Sequence, residues 1–204
     1  DLGGGHNSLA VNGGALTFEQ DAALTSDNLA LTVSSPASVF FNATQNLQSL
    51  TIHNGGLVRL NPQGSRVLGL ETVSIPGSGQ LDLADNHLIA RSMPLTQIGS
   101  LIASGANYAD PAHIWSGGGI ISSSALSTPK TTLGFADNAA LQKSSFAGIS
   151  GLDLTEVLVK FTWYGDNDLS GVTDGSDLSL LISGLGGSTP KTWLYGDYNY
   201  DGAI

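Results

Sequence analysis

The chain has 204 residues, enough for one large domain or two small ones with a real core. Seventeen acids against seven bases leave a net charge of -10, which excludes nucleic-acid binding by counterion release and docking on an anionic membrane. At 41% hydrophobic residues the chain is not wholly disordered, no apolar run is long enough to span a bilayer, and the lack of cysteine excludes disulfide scaffolds, thiol catalysis and cysteine metal clusters.

Abundant Gly, Ser, Thr and Asn beside scarce Lys and Glu favour β-structure with many turns. The chain opens at Asp1 with neither Met nor a signal peptide and stops at Ile204, as expected of a processed or partial product.

Paired apolar positions recur through the first ninety residues. Leu31 and Val33 precede Val39 and Phe41, Leu50 and Ile52 precede Val58 and Leu60, and Val73 and Ile75 precede Leu81 and Leu83, each at an offset of eight. An earlier copy, Leu9 and Val11 then Leu16 and Phe18, has an offset of seven. Turn residues such as Asn12-Gly13-Gly14 and Asn54-Gly55-Gly56 separate the pairs. A strand points alternate side chains to one face, so each unit reads strand, corner, strand, polar connector. The repeats start 22, 19 and 23 residues apart, a period that predicts a β-solenoid of the right-handed parallel β-helix type over residues 1–91. An antiparallel meander or β-sandwich, with the same turns as hairpin loops, is the alternative. Leu47 and Leu70 are expected to cap the rung interior.

Residues 92–163 read as a small α/β cap. Pro94 opens a helix near 94–104, with Leu95, Ile98, Leu101 and Ile102 on one face and Gly105 as its stop. The glycines after Trp115 form a structural turn, since no Lys-Ser or Lys-Thr follows as a phosphate loop requires. Strands are predicted at 131–135 and 157–163.

Residues 164–204 carry the sharpest chemistry. From Asp166, oxygen side chains stand at the first, third, fifth, ninth and twelfth places of a twelve-residue loop, as Asp166, Asp168, Ser170, Asp174 and Asp177. Gly171 is sixth, and Val172, seventh, would offer its carbonyl. This spacing suits Ca²⁺, which takes six to eight hard oxygens around a sharp glycine turn. The helix beginning at Asp177 is expected to carry Leu178, Leu181, Ile182 and Leu185 inward. Asp197, Asn199, Asp201 and Gly202 repeat the first, third, fifth and sixth places 31 residues later, with the ninth and twelfth places past Ile204. Eight of the seventeen acids follow residue 150, so much of the negative charge is a ligand set.

The paired loops resemble a type I dockerin module, a duplicated EF-hand-like calcium loop and helix. Residues 80–204, through segments such as Ser145-Phe146-Ala147-Gly148-Ile149-Ser150-Gly151-Leu152 and Val157-Leu158-Val159-Lys160-Phe161-Thr162-Trp163-Tyr164-Gly165-Asp166, resemble planctomycete-type cell-surface proteins with autotransporter-associated β-strand repeats. The resemblance implies secretion and a surface or matrix role with no known reaction. It also implies a cohesin-like partner, against which count Ser170 in place of the usual Asp and the second loop's missing places.

No reaction is expected. The repeat region offers Glu19, Asp21, Asp27, Glu71, Asp82 and Asp85, with Asp82 pointing outward and no converging pair of carboxylates. His6, His53, His87 and His113 lack metal spacing and read as loop or surface residues. The expectation is a secreted, calcium-binding structural protein that self-associates head to tail as a fibre or layer. An acid such as Asp1 of a neighbouring chain could complete the second loop. A monomeric adhesin or carbohydrate-binding β-helix anchored through its C-terminal end is the alternative.

Overall fold

The structure is a computed structural model that describes residues 7–22, 28–186 and 191–204. Asp1, His6 and Asp27 lie outside the described residues. In chain order come β1 (Asn7–Val11), β2 (Ala15–Phe18), β3 (Leu29–Val33), β4 (Ser38–Phe41), β5 (Gln45–Ile52), β6 (Leu57–Leu60), β7 (Val67–Ser74), β8 (Gln80–Asp82) and β9 (His87–Ala90). Then follow α1 (Leu95–Ala106), β10 (Gly119–Ile121), α2 (Ser123–Ser127), β11 (Thr131–Asp137), α3 (Asn138–Leu141), β12 (Ser145–Phe146), β13 (Ile149–Ser150), β14 (Val157–Trp163) and α4 (Gly175–Leu185).

Successive strands alternate between two sheets. One runs β1-β3-β5-β7-β9-β14-β11, the other β10-β8-β6-β4-β2. Within the repeat every pairing is parallel, which a chain of hairpins cannot produce. The fold is therefore a β-solenoid of four turns, β1/β2 to β7/β8, and the sandwich is set aside. Leu9, Leu31, Leu50 and Val73 stack in one column, and Leu16, Val39, Val58, Leu81 and Ile120 in the facing one. The first corner is one residue shorter, yet Leu16 still meets Val39. Leu47 and Leu70 are not caps. They sit opposite each other within β5 and β7, fully buried, because these two strands are longer than the repeat's spacing implies.

The corners are tied rung to rung by amides. Asn61 donates to Asn42 Oδ1 at 2.6 Å, and Asn42 donates to Glu19 Oε2 at 2.9 Å. Buried Gln45 donates to the Gln20 carbonyl at 2.9 Å and accepts from the Ala22 N–H at 3.0 Å. A polar group inside a corner is tolerated because its neighbour rung satisfies it.

After β9 the pattern changes. The β14 strand pairs antiparallel with β9, and β11 pairs antiparallel with β14, so the solenoid sheet ends in a reversed hairpin. The other sheet ends in β10, with α1 laid against it. A Cβ on Gly105 would stand 2.1 Å from the Ile120 carbonyl, and one on Gly119 2.3 Å from that of Leu101. The glycine run is thus a backbone contact surface. Pro94 caps α1, and Ile98 and Ile102 are buried beneath it. One continuous core runs from Leu29 to Leu194 across all three predicted segments.

Asp82 points out of the rung, as its alternation with Leu81 implies, yet solvent does not reach it. It is fully buried and accepts from Arg59 Nε at 2.7 Å, the Ala84 N–H at 2.9 Å and the Ser123 N–H at 3.0 Å. Arg59 lies opposite it on the adjacent rung and stays partly exposed, while the start of α2 covers the carboxylate. His87 is no surface residue either. It is buried against the Phe146 ring, with centroids 5.6 Å apart. Burial, helped by nearby Lys160, pushes its pKa down from 6.5 to about 4.

Truncating Leu50 or Leu81 to Ala is expected to cost about 2–5 kcal/mol, and truncating half-buried Leu9 clearly less, as measured by denaturant unfolding. Equal losses would contradict the register. The histidine gives a pH signature. Unfolded His87 titrates near 6.5 and native His87 near 4, so the stability due to the neutral ring is complete above the first value and lost as pH falls to the second. Relative to a His87→Gln variant, the native chain should lose up to about 3 kcal/mol across that window. Parallel pH profiles would contradict it.

Candidate metal centre

The last residue of β14, Trp163, leads into the twelve-residue loop, and α4 leaves it. Thr162 Oγ1 donates to Asp166 Oδ2, which also accepts from the Gly171 N–H at 2.9 Å. Asp166 Oδ1 accepts from the Ser170 N–H at 2.8 Å, as does Asp168 Oδ1. Asp177 Oδ1 accepts from the Asn167 and Asp168 N–H groups at 2.8 and 3.2 Å, and its Oδ2 from the Asp174 N–H at 2.8 Å. Ser170 Oγ lies 3.4 Å from Asp166 Oδ1 and donates to the Val172 carbonyl at 3.1 Å.

Carboxylate oxygens of Asp166, Asp168 and Asp177 thus lie within 4.8 Å of one another. Asp166 and Asp177 are buried. Burial raises the Asp166 pKa, against the pull of Thr162, the loop amides and Lys160. Lys160, itself pulled down by burial, is turned to the Leu169 carbonyl at 2.9 Å. These three carboxylates, with Ser170 and the Val172 carbonyl, could hold a hard cation. Asp174 is outside the group. Its carboxylate caps α4 by accepting from the Ser176 N–H at 2.8 Å.

The helix expectation is corrected here. Leu178, Ile182 and Leu185 are exposed, at 55, 60 and 62%. The inward stripe is Asp177, Leu180, Leu181 and Gly184, because Asp177 must face the loop and helical spacing then fixes the rest. Gly184 lets the Tyr195 carbonyl come so close that a Cβ would stand 2.2 Å from it.

The 31-residue repeat extends to backbone geometry. Gly165, Leu169 and Gly171 have positive φ of 90°, 57° and 100°, and Gly196, Tyr200 and Gly202 have 111°, 63° and 82°. Asp197 Oδ1 accepts from the Asp201 N–H at 3.1 Å and its Oδ2 from the Gly202 N–H at 2.9 Å, matching the bonds of Asp166. Asn199 Oδ1 accepts from the Asp201 N–H at 3.3 Å, as Asp168 does from Ser170. Asp201 Oδ1 accepts from the Ala203 N–H at 2.8 Å. Burial raises the Asp197 pKa too.

The two loops touch through their second residues. Tyr198 Oη donates to Asn167 Oδ1 at 2.8 Å. Asn167 Nδ2 donates to the Asp177 carbonyl at 3.0 Å, and Trp193 Nε1 to that of Asp166 at 2.9 Å. Sequence reading missed Asn167, Thr162 and Trp193. Only the echo of Trp193-Leu194-Tyr195-Gly196-Asp197 with the first lead-in signalled their shared role. Left-handed backbone at Leu169 and Tyr200 costs about 1–2 kcal/mol each. Both side chains are held against β11, Leu169 beside Gly134 and Tyr200 by its hydroxyl on the Leu133 carbonyl at 2.8 Å.

A Gly134→Ala substitution should disrupt this docking, since its Cβ would lie 2.7 Å from both Leu169 Cδ2 and Trp193 Nε1. The expected loss is about 1–3 kcal/mol, with a changed near-ultraviolet signal from Trp193. An unchanged melting curve and spectrum would refute it. No protein-family model, curated protein or solved structure matches the chain.

Proposed function

We propose that the chain is a secreted, calcium-stabilised structural protein of the bacterial cell surface, a solenoid unit of an extracellular fibre or layer, ending in a dockerin-like module. The observation that carries the reading is the convergence of Asp166, Asp168 and Asp177 within 4.8 Å around a twelve-residue loop. The donor set is all oxygen, with no imidazole or thiolate, which favours a hard cation. Ca²⁺ would supply charge neutralisation. Asp166, Asp168 and Asp177 would hold it with Ser170 Oγ and the Val172 carbonyl, and Asp174 would act through its cap. Asp197, Asn199 and Asp201 would give a second half-set.

With Ser170 at the fifth place the ligand set carries one negative charge fewer than with Asp there, and ligand charge count and site rigidity tune Ca²⁺ affinity. A site that fills only at the millimolar levels of extracellular modules, about 10⁻⁴–10⁻³ M, would agree with secretion. A cation that binds only the folded chain would raise its stability by about 2.7 kcal/mol at one hundred times the Kd.

Calorimetric titration of the chelator-treated chain with Ca²⁺ should show saturable uptake and a higher melting temperature. Asp177→Asn should lower affinity about tenfold or more, roughly 1.4 kcal/mol, and Ser170→Asp should raise it. No heat and no shift in melting would overturn the reading.

A further inference from the structure

We propose that the cleft between the corner leading into β7 and the end of β14 binds a neutral pyranose unit of a polysaccharide. The site goes beyond the structural-subunit reading and is independent of it. The cleft has a volume of about 480 Å³, and its walls include Gly64, Asp85, His87, Thr131, Lys160 and Trp163. Ligand sites in proteins span roughly 300–1,000 Å³ and set a few convergent polar groups into apolar walls.

Three features of the lining select the ligand. The first is an exposed indole. Of the three tryptophans, Trp115 and Trp193 are 4 and 0% exposed, whereas Trp163 is 48% exposed. An indole in the wall of a cleft offers a broad apolar face. One face of a pyranose is a row of C–H groups that such a ring can cover. The second feature is charge. Asp85 and Lys160 bring one charge of each sign, and His87, whose pKa burial pushes down to about 4, is neutral at ordinary pH. A charged ligand would face one of these two charges in opposition, and a chain of net charge -10 repels polyanions as a whole. A polyol opposes neither. Asp85 Oδ1 accepts from the Gln63 N–H at 2.9 Å, and Lys160 Nζ donates to the Leu169 carbonyl at 2.9 Å. Each keeps further hydrogen-bonding capacity, so the cleft can both accept from and donate to a hydroxyl.

The third feature is an unmade bond. Among the described residues, the buried side-chain nitrogens without a hydrogen-bond partner are Arg66 Nε and His87 Nδ1. Both residues stand at this corner on neighbouring rungs, where the His87 N–H bonds the Arg66 carbonyl at 3.0 Å. Unpaired polar atoms are rare in a protein interior, and two at one corner point to a missing partner. A hydroxyl can serve a ring nitrogen as donor or as acceptor, whichever tautomer the ring holds.

The probes are cellotriose, mannotriose, maltotriose and chitotriose, titrated calorimetrically into the intact chain. At least one should bind saturably at millimolar concentration or below, with an affinity unmoved by added salt. Bound sugar should shield Trp163 from acrylamide, a quencher that reaches this exposed indole before the two buried ones. Trp163→Ala and Asp85→Asn should each weaken binding about tenfold or more while still unfolding cooperatively, and Trp163→Tyr should keep most of the affinity. The acrylamide measurement on the unmodified chain reports the contact even if a variant fails to fold. No uptake of any of the four at tens of millimolar, equal binding by Trp163→Ala, or salt-sensitive uptake of trigalacturonate in their place would overturn the proposal. Titrations repeated with Ca²⁺ and with chelator keep the two readings apart, since sugar uptake without Ca²⁺ uptake, or the reverse, sinks one alone.

Discussion

A single rung of this protein cannot bury its own apolar side chains. Leu50 and Val58 face each other across the interior, but they are closed off only by Leu31 and Val39 on one side and Val73 and Leu81 on the other. Stability in such a stack is a sum of neighbour contacts, so its ends determine its behaviour. One end is sealed by reversing strand direction at β14 and by laying α1 on β10 at glycine distance. The other is left with half-buried Leu9 and Phe18.

The antiparallel pair of β14 and β11 also frames the candidate metal centre. The β14 strand is the first antiparallel strand of the sheet and delivers Thr162 and Asp166 directly into the loop. Its partner β11 offers Gly134 as the floor on which Leu169 and Trp193 rest. The buried carboxylates of the loop are oriented by backbone amides before any cation is considered. The second half-loop is fastened to the first through Tyr198 and Asn167, and to β11 through Tyr200 and Thr132, whose hydroxyls lie 2.6 Å apart. Two like-charged loops are thereby held close, an arrangement that a bound cation would relieve.

Much of this was legible in the sequence where the signal was periodic. Alternation at two residues and recurrence near twenty gave the interior columns, and oxygen spacing gave the loop. What escaped notice depended on segments distant in the chain. Asp82 reads as outward because it alternates with Leu81, and it is outward from the rung, but Arg59 and Ser123 cover that face. His87 is buried by Phe146, nearly sixty residues further along. The helix after the loop is turned by about one residue, roughly 100°, from the face its apolar residues imply, because Asp177 must face the loop.

A cation held by Asp166, Asp168 and Asp177 would lie beside Trp193, whose indole donates to the Asp166 carbonyl at 2.9 Å. Terbium is a hard oxygen-seeking ion like Ca²⁺, and it emits strongly when an excited tryptophan lies next to it. Excitation of the indoles in the terbium-loaded chain should give bright terbium emission that excess Ca²⁺ extinguishes, and Asp177→Asn should need about tenfold more terbium, or beyond, to reach it. Absence of sensitised emission, or emission that Ca²⁺ leaves untouched, would contradict the account.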